Sequence, residues 1–199
     1  LQRCQDEWAD YKARRSNAVT KLLRHPAIPR GVYMHGGVGR GKSFLMDCFF
    51  NEVPLTRKTR LHFHEFMREV HRELQELRGT VNPLQELGKR IARRFRLICF
   101  DEFHIADVTD AMILHRLLDA LFANRVSIVT TSNFRPDTLY PNGLHRDRIL
   151  PAIALLERQL EVLDVDAGTD YRQRTMDQVE VYHTPLGAEA DSLMLSVFE

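Results

Sequence analysis

The chain has 199 residues, of which 44% are hydrophobic and 28% are charged, and this ordinary balance excludes a disordered, fibrous or disulfide-scaffold protein. Lysine and arginine total 28 against 27 acidic residues, so charge alone gives no reason to expect a nucleic-acid or membrane-surface partner. No apolar run reaches the roughly 18–20 residues that span a bilayer, so no membrane span is predicted.

The first predicted element is a polar segment with helical tendency over residues 1–30. Pro26 and Pro29 end this segment, because proline breaks the hydrogen-bond pattern of a helix. The segment has neither an initiator methionine nor the apolar core of a signal peptide, which predicts a trimmed chain. Its apolar positions are Trp8, Tyr11, Val19, Leu22 and Leu23.

The next residues alternate between strand and helix patterns. GVYMHGG, which starts at Gly31, predicts a short buried strand that runs into glycines. Residues 43–53 follow as a helix that is apolar over most of its circumference, so we expect it to be buried. RLHFHEF, residues 60–66, alternates apolar and polar side chains and predicts a second strand. A helix should then run from Phe66 to a break at Gly79.

The second half of the chain repeats this alternation. A helix is predicted to begin at Asn82, which precedes a proline as an N-cap residue commonly does. The later predicted elements are a strand at residues 96–100, a helix at 109–123 with Met112 turned inward, a strand at 126–133, a helix at 149–156 and a strand at 159–165. Strands that alternate with helices predict a parallel sheet covered on both faces, with ligands at the carboxyl ends of its strands.

A phosphate-binding loop is the strongest motif in the sequence, because residues 36–43 match the pattern G-x-x-x-x-G-K-[ST]. Glycines let the backbone turn tightly and present N–H groups to phosphate oxygens, and the following helix points its positive end there. The lysine adds a full charge and the hydroxyl a ligand for Mg²⁺. The alternative is a glycine-rich turn with a surface lysine. The predicted nucleotide-binding residues are Gly36, Gly37, Val38, Gly39, Arg40, Gly41, Lys42, Ser43 and Phe44.

Two carboxylates follow the apolar strand at residues 96–100. We predict that Asp101 holds the water shell of Mg²⁺, together with the hydroxyl of Ser43, since Mg²⁺ commonly uses one or two protein ligands and keeps several waters. Glu102 is then placed to polarise the water that attacks the γ-phosphate of ATP. Taken without the phosphate loop, the pair would read equally well as solvated loop acids.

Polar residues beyond the next strand complete the predicted site. Asn133 ends the pattern VSIVTTSN, and in a five-stranded sheet with a central phosphate-loop strand it can orient the attacking water. The alternative is an ordinary turn residue. The run GLHRDRILP carries Arg146 and Arg148, either of which could stabilise the γ-phosphate of a neighbouring subunit. Arg146 is the preferred candidate, and a basic helix face is the alternative.

Several stretches together resemble the AAA+ ATPases and, more narrowly, the ZapE-type cell-division ATPases and their mitochondrial relatives, the lactation-elevated-protein-like ATPases. The resemblance covers most of residues 30–175. The phosphate loop marks only a superfamily, and the other stretches are more specific. The stretches are GVYMHGGVGRGKS, RLHFHEFMREVH, FDEF with DVTDAMIL three residues later, TTSN, LYPNGLHRDRILPAI and DAGTDYR.

This resemblance implies an enzyme that hydrolyses ATP with Mg²⁺. It also implies a homo-oligomer, expected to be a hexamer, in which an arginine of one subunit completes the site of the next. In bacteria such proteins are linked to the division site through FtsZ, and in mitochondria to protein quality control. The implied roles are Walker A for Lys42 and Ser43, Walker B for Asp101 and Glu102, sensor one for Asn133 and the arginine finger for Arg146.

The expected architecture is a P-loop NTPase of AAA+ type, a three-layer α/β/α fold with a five-stranded parallel sheet. We divide the chain into an N-terminal helical segment (1–30), an ATPase core (31–175) and the start of a C-terminal portion (176–199). Relatives continue into a helical portion that acts as a lid, and this chain stops before it. We therefore expect the chain to bind nucleotide, and slow or absent hydrolysis stays open as an alternative to full turnover.

Three other functions stay open on the sequence. A nucleotide-switched binding module would bind ATP without significant turnover. A P-loop kinase would transfer phosphate to a small molecule, although it would need no glutamate beside the metal-binding aspartate. A helicase loader would bind single-stranded DNA with a strong salt dependence.

Cysteine usage predicts the compartment. The three cysteines are an odd number and form no Cys-x-x-Cys pair, which favours free thiols over disulfides or a zinc site. We expect a reducing compartment, the bacterial cytoplasm, with the mitochondrial matrix side as the alternative.

Overall fold

Five parallel strands form the centre of the protein. The computed structural model describes residues 1–16, 26–105, 107–141 and 143–166. The strands are β1 (Gly31–His35), β2 (Lys58–His62), β3 (Leu97–Asp101), β4 (Ser127–Ser132) and β5 (Leu160–Asp164). They are ordered β2-β3-β4-β1-β5, and each neighbouring pair is parallel. The phosphate-loop strand β1 therefore lies between β4 and β5, and the predicted five-stranded parallel sheet is confirmed.

Helices cover both faces of this sheet. They are α1 (Gln2–Ser16), α2 (Lys42–Glu52), α3 (Phe63–Glu76), α4 (Pro83–Arg94), α5 (Val108–Ala123) and α6 (Leu150–Gln159). Helices α1 and α2 pack in one apolar cluster, and α3 to α6 pack in the other. This arrangement confirms the predicted three layers. Among the described residues, no helix is both long and apolar enough to cross a membrane.

The strands are apolar on both sides because each side faces helices. In β3, Cys99 packs with the α1 and α2 cluster, whereas Ile98 and Phe100 pack with the opposite cluster. Successive side chains of a strand point to opposite faces, so one continuous apolar run supplies both cores. Burying a side chain such as Phe100 contributes roughly 1.5–3 kcal/mol relative to leaving it exposed.

The N-terminal segment is helical over Gln2–Ser16. Cys4, Trp8 and Tyr11 are buried against the α2 side of the sheet, as two of the predicted apolar positions require. Val19, Leu22 and Leu23 lie outside the described residues, as does the predicted C-terminal portion 176–199.

The boundary between β2 and α3 differs from the prediction. The expected strand ran through residue 66, but β2 ends at His62 and α3 begins at Phe63. The ring of Phe63 packs 4.2 Å from Phe103 and 5.5 Å from Phe100, centroid to centroid. Phe63, Phe66 and Val70 then follow a helical spacing on one buried face, and this longer pattern overrides the short alternation.

Helix α2 was predicted to be buried around most of its circumference, and this prediction is wrong. Its buried side chains are Lys42, Met46 and Phe49, whereas Phe44 and Cys48 are exposed. The helix packs on the sheet and α1 along one face only, so its second apolar stripe meets solvent. Phe44, a predicted nucleotide-binding residue, is 69% exposed.

Met112 in α5 was predicted to point inward, and it is 59% exposed. The buried stripe of α5 instead begins at Ala111 and continues through Leu114, Leu118 and Leu121. This spacing of three and four residues keeps one face of the helix on the core, and it leaves Met112 on the outer side.

The three cysteines are free: Cys4 and Cys99 are buried, and Cys48 is exposed on α2. Burial raises the pKa of the Cys4 thiol to about 11 and raises the pKa of Cys99 as well. Both buried thiols therefore stay protonated near neutral pH and behave as small apolar core residues.

Candidate nucleotide-binding site

The phosphate loop joins the end of β1 to the start of α2. Gly39 and Gly41 have φ values of 79° and 77°, a left-handed conformation that residues with a Cβ rarely adopt. Gly41 is also the N-cap residue of α2, so the first turn of the helix begins directly at Lys42. The N-terminus of a helix is the kind of anion site that phosphate oxygens fill.

Lys42 folds back over this loop. Its Nζ donates hydrogen bonds to the carbonyl oxygens of Gly36 and Gly37, at 2.8 and 2.7 Å, and the side chain is buried. The ammonium group is thus held inside the loop rather than in solvent, and its role in nucleotide binding stays a prediction. The neighbouring side chain of Val38 is 58% exposed, and that of Ser43 is also exposed at the start of α2.

Arg40 connects the loop to the residues beyond β5. Its Nε lies 3.1 Å from Oδ1 of Asp166, and its side chain is mostly buried. Gly36 is close to the same segment, because a Cβ built there would lie 3.3 Å from the backbone nitrogen of Asp166. The far side of the phosphate loop is therefore set against the chain that follows β5.

Asp101 is the last residue of β3 and is buried. Its Oδ2 accepts a hydrogen bond from Nε of Arg60 at 2.6 Å. Its Oδ1 is buried and has no hydrogen-bond partner. A buried carboxylate oxygen without a partner is costly, so this atom fits a ligand that the site is built to receive.

The backbone turns away from the direction of β3 at Glu102. Its φ is 54°, a left-handed conformation that costs a residue other than glycine on the order of 1–3 kcal/mol. Its backbone N–H donates to Oγ1 of Thr131 at 3.2 Å, and its exposed carboxylate lies 3.9 Å from Nδ1 of His62. The two adjacent acids are thereby separated, with Asp101 buried in the protein and Glu102 in the solvent.

The end of β4 is hydrogen-bonded to the loop that carries these acids. Phe103 donates its N–H to the carbonyl of Thr131 at 2.7 Å, and Ser132 Oγ donates to the carbonyl of Phe103 at the same distance. Asn133 comes directly after β4, and its side chain is exposed. Because β4 lies between β1 and β3, Asn133 leaves the sheet between the phosphate loop and the acids. The structural roles of Thr131 and Ser132 were not predicted.

The two candidate arginines lie in a short 3-10 turn, Arg146–Arg148, just before α6. Arg146 is partly buried, and its Nη2 donates to the carbonyl oxygen of Asp137 at 2.7 Å. Arg148 is exposed, and its Nε lies 3.6 Å from Asp147. Within this chain the Arg146 side chain is therefore held against its own backbone, and action on a neighbouring subunit stays a prediction.

Arg60 was not singled out in the sequence, although it contacts the predicted metal carboxylate. The only available signal was a basic residue at the start of a predicted strand, which is a common surface pattern. Within the part of the chain that the structure describes, no group of three or more His, Cys, Asp or Glu side chains forms a metal cluster. A Mg²⁺ site of the predicted kind needs no such cluster, because Ser43 and water supply the other oxygens.

Comparison with known proteins identifies the family. The model of the family described as AFG1-like ATPase matches residues 1–199. The chain belongs to the AFG1-like ATPase family. This membership confirms the predicted resemblance to a family of phosphate-loop ATPases.

Among relatives of this AFG1-like chain, Escherichia coli cell division protein ZapE is 50% identical over 165 residues, which cover 83% of this chain and 44% of ZapE. Zebrafish (Danio rerio) lactation elevated protein 1 homolog B is 38% identical over 187 residues, which cover 87% of this chain and 37% of the relative. The AFG1-like chain thus spans less than half the length of these relatives.

Solved structures support the fold of the AFG1-like chain. Domain III of the Thermotoga maritima replication initiation protein DnaA matches with a TM-score of 0.54 and 19% identity, over 90% of this chain and 71% of that domain. DnaI matches with a TM-score of 0.52 and 18% identity, over 80% of this chain and 82% of DnaI. At these identities the likeness extends to the fold alone.

Proposed function

We propose that this AFG1-like chain binds ATP together with Mg²⁺ at the phosphate loop and hydrolyses it with water. The observation that carries the proposal is the strand order. A complete phosphate loop follows β1, paired acids follow β3, and β4 with Asn133 lies between them. This order brings the phosphate loop, the two acids and Asn133 to the same edge of the sheet, which supports the proposal.

Ser43 and Asp101 would hold the metal ion. The buried, unpartnered Oδ1 of Asp101 and the exposed hydroxyl of Ser43 are hard oxygen donors, which suit Mg²⁺. When bound, Mg²⁺ supplies positive charge to the β- and γ-phosphate oxygens. Lys42, already placed inside the loop, would add a second positive charge by exchanging its two carbonyl partners for phosphate oxygens.

The remaining residues would act on the attacking water. The exposed carboxylate of Glu102 would accept a proton from the water as it attacks the γ-phosphate, and the amide of Asn133 would orient it. The Glu102 carboxylate lies 3.9 Å from Nδ1 of His62, on the β2 side of the site.

Stoichiometry distinguishes this proposal from the kinase alternative. Hydrolysis should release one inorganic phosphate for every ADP, without any added acceptor, and chelation of Mg²⁺ with EDTA should stop both. Coupled assays of ADP and phosphate on the same sample provide the measurement. Release of ADP without phosphate, seen only when a candidate acceptor is added, would indicate a kinase. Nucleotide binding without release of ADP or phosphate, with or without an acceptor, would indicate a nucleotide-switched binding module.

The arginine finger makes hydrolysis depend on assembly. We propose that the chain forms a homo-oligomer, a hexamer when assembled, in which Arg146 reaches the γ-phosphate on the neighbouring subunit. Specific ATPase activity should rise with protein concentration until it reaches a plateau. Arg146→Ala should lower the activity at this plateau by about 10³-fold, the lower end of the range by which arginine fingers raise kcat. Arg148→Ala, in the same turn but exposed, is the matched control and should retain activity. Equal losses in both variants would contradict the assignment.

The cellular role is proposed from the E. coli relative, a protein named for cell division. We infer that this chain also acts in bacterial cell division, in the cytoplasm, through FtsZ; a mitochondrial matrix location is the alternative, raised by the zebrafish relative. Co-sedimentation with purified FtsZ polymers, with and without ATP, tests the contact. Recovery of the chain in the supernatant under both conditions would contradict it.

A further inference from the structure

Arg60, in β2, lies between two carboxylates that belong to different parts of the site. Its Nε donates to Oδ2 of Asp101 at 2.6 Å, and its Nη1 donates to Oδ1 of Asp47. The Arg60 side chain is about four-fifths buried, at 21% exposure, and that of Asp101 is 11% exposed. One guanidinium therefore joins α2 to the end of β3.

The position of each partner explains why this link matters. Asp47 lies four residues after Ser43 on α2, which is one helical turn further along the same face. In the β2–β3 pairing, Arg60 lies opposite Cys99, on the side of the sheet that α2 covers. The side chain of Arg60 thus extends from that level toward the carboxyl end of the sheet, where Asp101 and the phosphate loop are found.

The two neighbouring carboxylates keep the guanidinium of Arg60 protonated. Burial alone would lower the pKa of Arg60, but the hydrogen bonds that Arg60 donates to Asp101 and Asp47 outweigh this effect and raise the pKa above its ordinary value. The guanidinium stays charged at any working pH. It offsets the negative charge of the buried Asp101 carboxylate.

We propose that Arg60 is a positioning residue for the Mg²⁺ site. By binding Oδ2 of Asp101 it fixes the carboxylate and leaves the buried, unpartnered Oδ1 for the water shell of the metal. Arg60 also binds Asp47, and it thereby links the Asp101 carboxylate to α2, the helix that carries Ser43. This inference rests on the proposed function, since binding of Mg²⁺ by Asp101 is itself proposed.

A titration of Mg²⁺ against fluorescently labelled ADP tests this role without relying on turnover. The affinity of the labelled ADP is measured in EDTA and at increasing Mg²⁺, for the wild-type chain and Arg60→Gln. Arg60→Gln should bind labelled ADP in EDTA within about twofold of wild type but should need about 10- to 100-fold more Mg²⁺, the usual cost of losing a group that orients a metal ligand.

Two further variants keep the test decisive. Arg60→Lys keeps a positive charge but lacks the rigid fork that reaches both carboxylates, so its Mg²⁺ requirement should fall between those of wild type and Arg60→Gln. Arg57→Gln, at the residue directly before β2, is the matched control. Arg57 donates to backbone carbonyls at the end of α4, and its loss should leave the Mg²⁺ requirement unchanged.

The outcomes separate this inference from the function on which it rests. If wild-type binding does not respond to Mg²⁺, the proposed metal site is wrong. If the wild type responds and Arg60→Gln needs the same or less Mg²⁺, Arg60 does not position the site and the inference is wrong. If Arg60→Gln does not fold, as judged by circular dichroism, a wild-type Mg²⁺ requirement in Arg60→Lys overturns the inference.

Discussion

Replacing Lys42 with methionine should lower the affinity for ATP by about 100-fold, which corresponds to roughly 3 kcal/mol and to the upper range for hydrogen bonds with a charged group. Methionine keeps an unbranched apolar chain in the buried position, whereas it removes the ammonium that the loop holds through Gly36 and Gly37. Equilibrium binding of ATP in the presence of Mg²⁺ provides the measurement.

Lys89→Met is the matched control for Lys42→Met. Lys89 is exposed on α4, and its Nζ lies 3.8 Å from Glu86. Its loss should leave ATP affinity unchanged, and both variants should keep the wild-type circular dichroism spectrum. If Lys42→Met is folded and binds ATP as tightly as the wild type, the phosphate loop is not the nucleotide site.

Replacing Glu102 with glutamine should lower ATP turnover by about 10²- to 10⁴-fold, the range attributed to a positioned general base. Glutamine keeps the size of the side chain and has no carboxylate to accept the proton of the attacking water. ATP affinity should stay near that of wild type, because Glu102 is exposed and contributes no contact to the loop among the interactions of the described residues.

Glu65→Gln provides the comparison for this variant. Glu65 is an exposed carboxylate in the first turn of α3, and its neutralisation changes the net charge by the same amount. A loss of turnover in both variants would point to overall charge or stability. A loss confined to Glu102→Gln, with binding retained, would assign the carboxylate to the chemical step.

Much of the fold could be predicted because short, strongly patterned segments specify it. The loop from Gly36 to Ser43 needs its residue types at fixed spacing, and the apolar run before Asp101 has no stable place except a covered strand. In a parallel sheet these two facts place the loop and the acids at the same edge. The predicted residues of the site therefore follow from local sequence and one topological rule.

What could not be predicted depends on contacts between distant parts of the chain. Arg60 is 13 residues from Asp47 and 41 residues from Asp101 along the chain, and the local pattern RLHFH does not indicate that it contacts either carboxylate. The start of α3 at Phe63 likewise depends on packing against Phe100 and Phe103. Side-chain partners of this kind appear only once the strands are placed in register.

The outward position of Met112 has a related cause. An apolar residue on an amphipathic helix was assigned to the core because the width of the buried stripe cannot be read from one helix alone. The neighbouring elements decide it, and here they place Ala111 inside and Met112 outside. The same reasoning applies to Phe44, whose helix is covered on a single face.

The most direct test of the central claim is the identity of the nucleotide that stays bound. Wild type and Glu102→Gln are each loaded with ATP and Mg²⁺, separated from free nucleotide, and sampled over time by chromatography of the extracted nucleotide. We expect bound ATP to become ADP in the wild type and to stay ATP in Glu102→Gln. Conversion to ADP at the same rate in both would contradict hydrolysis of ATP by a Glu102-activated water at this site.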